Sequence, residues 1–269
     1  MLVFALMLIG LILCALFTVG AGLAAWKIIL VFLACFVAVN LLFFVFWGIV
    51  SLFPDNTKPI EKQKKIYRIG CALIAEYLCE YAGVKPYISG TDKLPVEGRF
   101  LFVCNHRSLF DPLIVADKLR SYNISFISKP SNMEIPIVGR LSYGAGYLPI
   151  DRENDRSALR TILTTASYLN RDICSMGIYP EGTRSRTNEL LPFHAGSFKT
   201  AQKASVPIAV AAIRGSETVT EHILRRNKPV YLDIVEVIPA DQVRSMTTQE
   251  LAAYAREKIA AALEQGERV

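Results

Sequence analysis

The first 53 residues carry a single charged side chain, Lys27, set between the apolar runs "MLVFALMLIGLILCALFTVGAGLAAW" and "IILVFLACFVAVNLLFFVFWGIVSLF". About 20 apolar residues in helical form span the roughly 30 Å core of a bilayer, and each run is long enough for that. The pattern predicts a retained membrane anchor over residues 1–53, read first as two transmembrane helices meeting near Gly20–Lys27. One span with a re-entrant or tilted segment is the second form. A cleaved signal peptide would need a positively charged start, a shorter apolar core and a small-residue cleavage site before a polar mature chain, and none of these is clear here.

Past Phe53 the pattern changes. Residues 54–89 read as a basic linker and an amphipathic helix, in which Ile66, Ile69, Leu73, Ile74, Tyr77 and Tyr81 recur at helical spacing. That face could lie on lipid headgroups or pack on the domain, and spacing does not choose between them. From 90 to 269, short apolar runs alternate with helix-length segments. Strands are expected at Phe100–Cys104, Ile124–Ser128, Gly146–Ile150, Ser175–Tyr179, Ile208–Ile213 and Val230–Val237. Helices are expected near Leu109–Leu119, Ile135–Ser142, Asp155–Leu169, Gly196–Lys203 and Thr248–Gln265. This alternation predicts an α/β domain with a mixed, largely parallel sheet flanked by helices.

Charge refines the picture. Lys58, Lys62, Lys64, Lys65 and Arg68 outnumber Asp55 and Glu61 just after the anchor, which predicts an integral protein of the cell membrane with its globular part facing the cytoplasm. The formal net charge is only +6. With no nucleic-acid motif in the chain, a bilayer surface or a phosphorylated substrate suits this balance better than nucleic acid. The six cysteines are scattered, with no CxxC spacing, and read as reduced and structural. His194 and His222 stand isolated, so no metal site is expected.

Ligand-binding groups of an open α/β sheet collect where strands end. In "FVCNHRSLFDP" (residues 102–112), His106 falls just past a strand and Asp111 in the first turn of the next helix. Five residues apart on one helix, the two would diverge by about 140°. Across a strand-to-helix turn they can meet, the carboxylate holding one imidazole nitrogen and leaving the other as a base able to deprotonate an alcohol. A capping aspartate beside a surface histidine is the plain structural reading of the same residues. At a second strand end, "YPEGTRS" supplies Glu181, Gly182, Thr183 and Arg184: a glycine for close backbone approach, a hydroxyl, and a planar fork suited to phosphate. Lys199 follows downstream, and a third strand end, "YLPIDR", adds Asp151 and Arg152.

Together these blocks resemble the glycerolipid acyltransferases of the PlsC-like, lysophosphatidate acyltransferase type. "NHRSLFD" matches the N-H-x4-D block, "YLPIDR" is similar to the second, "YPEGTRS" matches the third, and "VPIAVAAI" from Val206 is similar to the fourth. Four blocks in order over about residues 90–215 are far more specific than any one of them. The departures are Tyr179, where phenylalanine is frequent, and Pro149-Ile150 ahead of Asp151.

The resemblance implies that His106 is the general base and Asp111 its orienting partner. It further implies that Glu181, Gly182, Thr183 and Arg184, helped by Arg152, hold a glycerol phosphate. Lys129, matched to a lysine between the first two blocks, is assigned to phosphate binding or oxyanion stabilisation. The implied function is transfer of a fatty acyl group from an acyl thioester to lysophosphatidate, forming phosphatidate in phospholipid biosynthesis. The implied partners are the lipid bilayer, lysophosphatidate and the acyl donor, either acyl-CoA or an acyl carrier protein, with no cofactor beyond that co-substrate. Glycerol 3-phosphate or another lysolipid is the alternative acceptor. A non-catalytic phospholipid-binding membrane protein is the alternative class, and Cys104 or Ser108 as an acyl-enzyme nucleophile is the alternative mechanism.

Overall fold

The computed structural model describes residues 2–18, 25–151, 154–187, 189–221 and 226–266. Arg152 and His222 lie outside the described residues. Two apolar helices come first, α1 (Leu2–Thr18) and α2 (Ala25–Val50). Residues Trp26–Val50 of α2 are long and apolar enough to cross a membrane, which suggests membrane association, whereas the apolar core of α1, Ala5–Leu16, is shorter. The helices touch closely: a side chain on Gly10 would come within 3.3 Å of the Phe36 backbone.

The amphipathic segment forms α3 (Lys65–Tyr81) and packs one face on α2. Trp47 of α2 lies on Gly70, where an added Cβ would stand 2.7 Å from the indole ring. Asn40 Oδ1 accepts a hydrogen bond from the Tyr77 hydroxyl at 2.8 Å, and Phe43 stacks on the same tyrosine at 5.6 Å. Later positions on α2 thus meet earlier ones on α3, so the two helices run antiparallel.

The sheet consists of β1 (Val84–Ser89), β2 (Leu101–Cys104), β3 (Ile124–Ser128), β4 (Leu148–Pro149), β5 (Ser175–Ile178), β6 (Ile208–Arg214) and β7 (Lys228–Ile238). Its seven strands are ordered β1-β7-β6-β2-β5-β3-β4. Every pairing is parallel except β6 with β7. The intervening helices are α4 (Asp111–Lys118), α5 (Val138–Gly144), α6 (Asp155–Asn170), α7 (Lys199–Ala204) and α8 (Thr218–Glu221), and α9 (Ala240–Ser245) and α10 (Thr248–Gly266) close the chain. β2 and β5 are buried at every position, as strands covered by helices on both faces must be. One core lies under α6, α7 and α10, and the other under α3 and α4.

The mixed, largely parallel sheet is the one the alternating pattern predicts. β1 falls inside segment 54–89, expected as linker and amphipathic helix, and it contains Pro86, a residue that an interior strand does not tolerate. The structure puts it at an edge, paired only with β7, where a residue without an N–H is tolerated. The expected Gly146–Ile150 strand shrinks to β4 because Tyr147 N–H still bonds back to the Ser142 carbonyl and Gly146 takes φ +92°. α5 starts later than expected because Ile137 sits at φ +65°, its turn closed by a 2.7 Å bond from Val138 N–H to the Pro136 carbonyl.

Gly70→Val drives two methyl groups into the Trp47 ring. The expected cost is about 1–3 kcal/mol, read as a lower thermal unfolding midpoint of the full chain in detergent.

Candidate active site

β2 ends at Cys104, and the next residue prolongs the ladder with its side chain. Asn105, 1% exposed, donates from Nδ2 to the Ile213 carbonyl at 2.9 Å and accepts the Ile213 N–H on Oδ1 at 2.8 Å. The amide thereby joins the end of β2 to β6 and releases the backbone to turn. Three further contacts then fix the turn around one carboxylate oxygen. Asp111 Oδ2 accepts the N–H of Arg107 at 2.7 Å and of Ser108 at 2.8 Å, and lies 2.8 Å from His106 Nδ1. A proton on Nδ1 satisfies that contact and leaves Nε2 as the free acceptor. The aspartate side chain is fully buried, while that of His106 keeps 18% of its surface.

The neighbouring loop is tied to the same histidine. Glu181 Oε1 accepts the His106 N–H at 2.6 Å, and Oε2 accepts the Leu191 N–H at 3.1 Å. The His106 carbonyl in turn accepts the Ser185 N–H at 2.8 Å. Between these anchors Gly182 takes φ +75°, a conformation glycine adopts without penalty. Burial is the largest influence on the Glu181 carboxyl and raises its pKa, while the His106 and Leu191 amides pull it back down.

Tyr179, the last residue before that turn, lies flat against the imidazole at 4.2 Å and 17°. Its other face meets Phe126 of β3 at 5.3 Å and 5°. The three rings follow the strand order β2-β5-β3 across the carboxyl edge of the sheet. Burial, then the negative charge of Asp111, pushes the Tyr179 hydroxyl well above its ordinary range, so the phenol is neutral.

The structure therefore brings His106, Asp111, Glu181 and Gly182 into one bonded cluster. Thr183 and Arg184 are exposed on the same loop, and Lys129 is exposed just past β3. Asn105, Tyr179 and Phe126 have structural parts here that the sequence reading did not assign. Phe126 carried no local signal, since only the strand order brings it to Tyr179. Cys104 is fully buried, and burial followed by the charges of Asp111 and Glu181 keeps its thiol protonated. Ser108 is 2% exposed, and its Oγ accepts the Phe110 N–H at 3.3 Å. Neither group is presented to solvent as a nucleophile. Among the described residues, no cluster of three or more histidine, cysteine or acidic side chains could hold a metal ion.

Residues 85–214 match the acyltransferase family model. A 1-acyl-sn-glycerol-3-phosphate acyltransferase of Salmonella typhimurium is 29% identical over 159 residues, 59% of this chain and 64% of that protein. The Haemophilus influenzae protein of the same name is 32% identical over 158 residues, 58% of this chain and 65% of that protein. The chain thus spans less than two thirds of these relatives' length. The crystal structure of the 1-acyl-sn-glycerophosphate acyltransferase PlsC from Thermotoga maritima shares the fold, with a TM-score of 0.62 at 20% identity over 84% of this chain and 89% of that one.

Asn105→Leu leaves the Ile213 N–H and carbonyl buried without partners. The expected loss of stability is about 1–3 kcal/mol for each, measured by thermal unfolding in detergent, and an exposed substitution such as Thr183→Val should leave the midpoint in place.

Proposed function

We propose that this chain, whose residues 85–214 match the acyltransferase family model, transfers a fatty acyl group from an acyl thioester to the free hydroxyl of lysophosphatidate, forming phosphatidate. The observation that carries the reading is the 2.8 Å contact between His106 Nδ1 and Asp111 Oδ2 at the mouth of the sheet, with the ring only partly covered. It supplies a base aimed outward and calls for no protein nucleophile.

The acceptor hydroxyl gives its proton to His106 Nε2 as its oxygen attacks the thioester carbonyl. The tetrahedral oxyanion collapses, the carbon–sulfur bond breaks, and the departing thiolate takes the proton back from the imidazolium. Asp111 steadies the imidazolium while it lasts, as a buried carboxylate does best at hydrogen-bond distance. Thr183 and Arg184, exposed beside the base, receive the acceptor's phosphate, and Arg152 adds to that site. Lys129 serves either the phosphate or the oxyanion. Acyl-CoA and an acyl carrier protein both present the required thioester.

The run of the anchor helices supports a crevice that opens toward the bilayer. α3 begins beside residues that precede β2, β3 and β5, and past its end the Ala82 carbonyl accepts a hydrogen bond from Lys228 Nζ, at the start of β7. β7 is antiparallel to its neighbour β6, so α3 runs from the amino edge of the parallel strands to their carboxyl edge. α2 runs the other way, so its first half, about 18 Å of helix from Ala25 to Phe36, extends past the edge that holds His106. Leu109, 56% exposed between His106 and Asp111, adds apolar surface there. The basic flank after α2 favours the cytoplasmic side for the domain.

Purified chain in detergent, given labelled acyl donor and lysophosphatidate, is expected to yield phosphatidate; no product from any thioester donor would sink the reading. His106→Ala should lower kcat roughly 10²–10⁴-fold. Arg184→Ala should act mainly on KM for the phosphate-bearing acceptor. Cys104→Ala should keep kcat within a few fold, which an acyl-cysteine route does not allow.

A further inference from the structure

A recess of about 510 Å³ opens at the amino edge of the sheet, and Lys62, Lys65, Arg68, Arg99 and Arg171 line it. Two carboxylates share the wall, Glu61 and Asp172. Asp172 is committed to Arg99, 2.7 Å from its Nε, and Arg171 donates to the Glu61 carbonyl at 2.9 Å. Lys62, Lys65 and Arg68 have no ion pair with any described residue. Cations gathered in a concavity repel one another and concentrate anions from their surroundings.

The recess is separate from the candidate active site. It touches residues that precede β2, β3 and β5, whereas His106 and Glu181 follow those strands. The four residues of β2 put about 13 Å of sheet between the two ends.

Its place along the chain indicates the anion. Outward apolar side chains on and just after α2 continue to Leu52, 63% exposed, and Phe53, 72% exposed. Polar residues follow at once, and the three unpaired cations come within the next turns of chain. Lipid that lies against this apolar surface presents its headgroups to the basic residues that border it, at the mouth of the recess.

We propose that this recess binds the phosphate headgroup of an anionic phospholipid, with Lys62, Lys65 and Arg68 meeting the phosphate and Arg99 and Arg171 forming the fixed rear wall. Headgroup binding there sets the tilt of the domain on the membrane by holding the sheet at the end opposite the catalytic crevice. The proposal rests on membrane association and not on acyl transfer, so a chain inactive as a transferase can still satisfy it.

The test titrates short-chain phosphatidylglycerol into the full chain in neutral detergent, with heat of binding as the readout. Wild type should bind, and Lys62→Gln/Lys65→Gln/Arg68→Gln should bind at least about tenfold more weakly with an unchanged unfolding midpoint. The charge-retaining Lys62→Arg/Lys65→Arg/Arg68→Lys should bind within a few fold of wild type. A control of equal charge change elsewhere, Arg156→Gln/Arg160→Gln/Lys203→Gln, should leave binding intact. Equal loss in that control would mean general attraction to a basic protein and overturn the proposal. Inorganic phosphate binding as tightly as the lipid would overturn it in favour of a free-anion site, and so would an absence of binding by wild type.

Discussion

Asp111 Oδ2 takes three hydrogen bonds in the interior, two from backbone amides and one shared with the imidazole, on a side chain that solvent does not reach. An ionised carboxylate taken out of water is costly unless donors surround it. Here the donors come from the loop that the carboxylate organises and all meet Oδ2, while Oδ1 has no partner among the described residues. The turn between β2 and α4 cannot relax without stranding the charge, and the charge cannot be buried without the turn. Ring orientation, tautomer and the start of α4 follow from that mutual dependence.

A second carboxylate performs a different task in a similar burial. Both oxygens of Glu181 are occupied by backbone amides, one on the histidine itself and one on Leu191. They stitch two strand ends together, while Thr183 and Arg184, two and three residues on, stay exposed. The ring stack completes the same support from below. Phe126 backs Tyr179, and Tyr179 backs His106, so a small imidazole shift meets two aromatic planes. Hydrogen bonds in the plane and stacking across it together leave the histidine little freedom.

Much of this was legible in the residues. Apolar runs of four to eight residues marked the buried strands, and the N-H-x4-D spacing made sense only if the chain turned between its two ends. What local pattern does not carry is adjacency. Nothing near Phe126 indicates that β5 lies between β2 and β3, which is the whole reason that it touches Tyr179. Asn105 reads as a polar residue after a strand, and its bonds to Ile213 need the partner strand 108 residues away. β1 was hidden for a different reason: proline speaks against a strand interior, and only the sheet order shows that this strand has one neighbour.

Both margins of the sheet carry a proline, Pro86 in β1 and Pro149 in the two-residue β4. A protein confined to a surface meets copies of itself far more often than one dissolved in a volume, and an open strand margin invites those copies to zip together. A margin that lacks an amide proton at one position and is cut short at the other offers a poor template for such growth. Pro86 at one margin and the short, proline-ended β4 at the other thus leave the sheet little edge through which copies of this chain could add strand to strand.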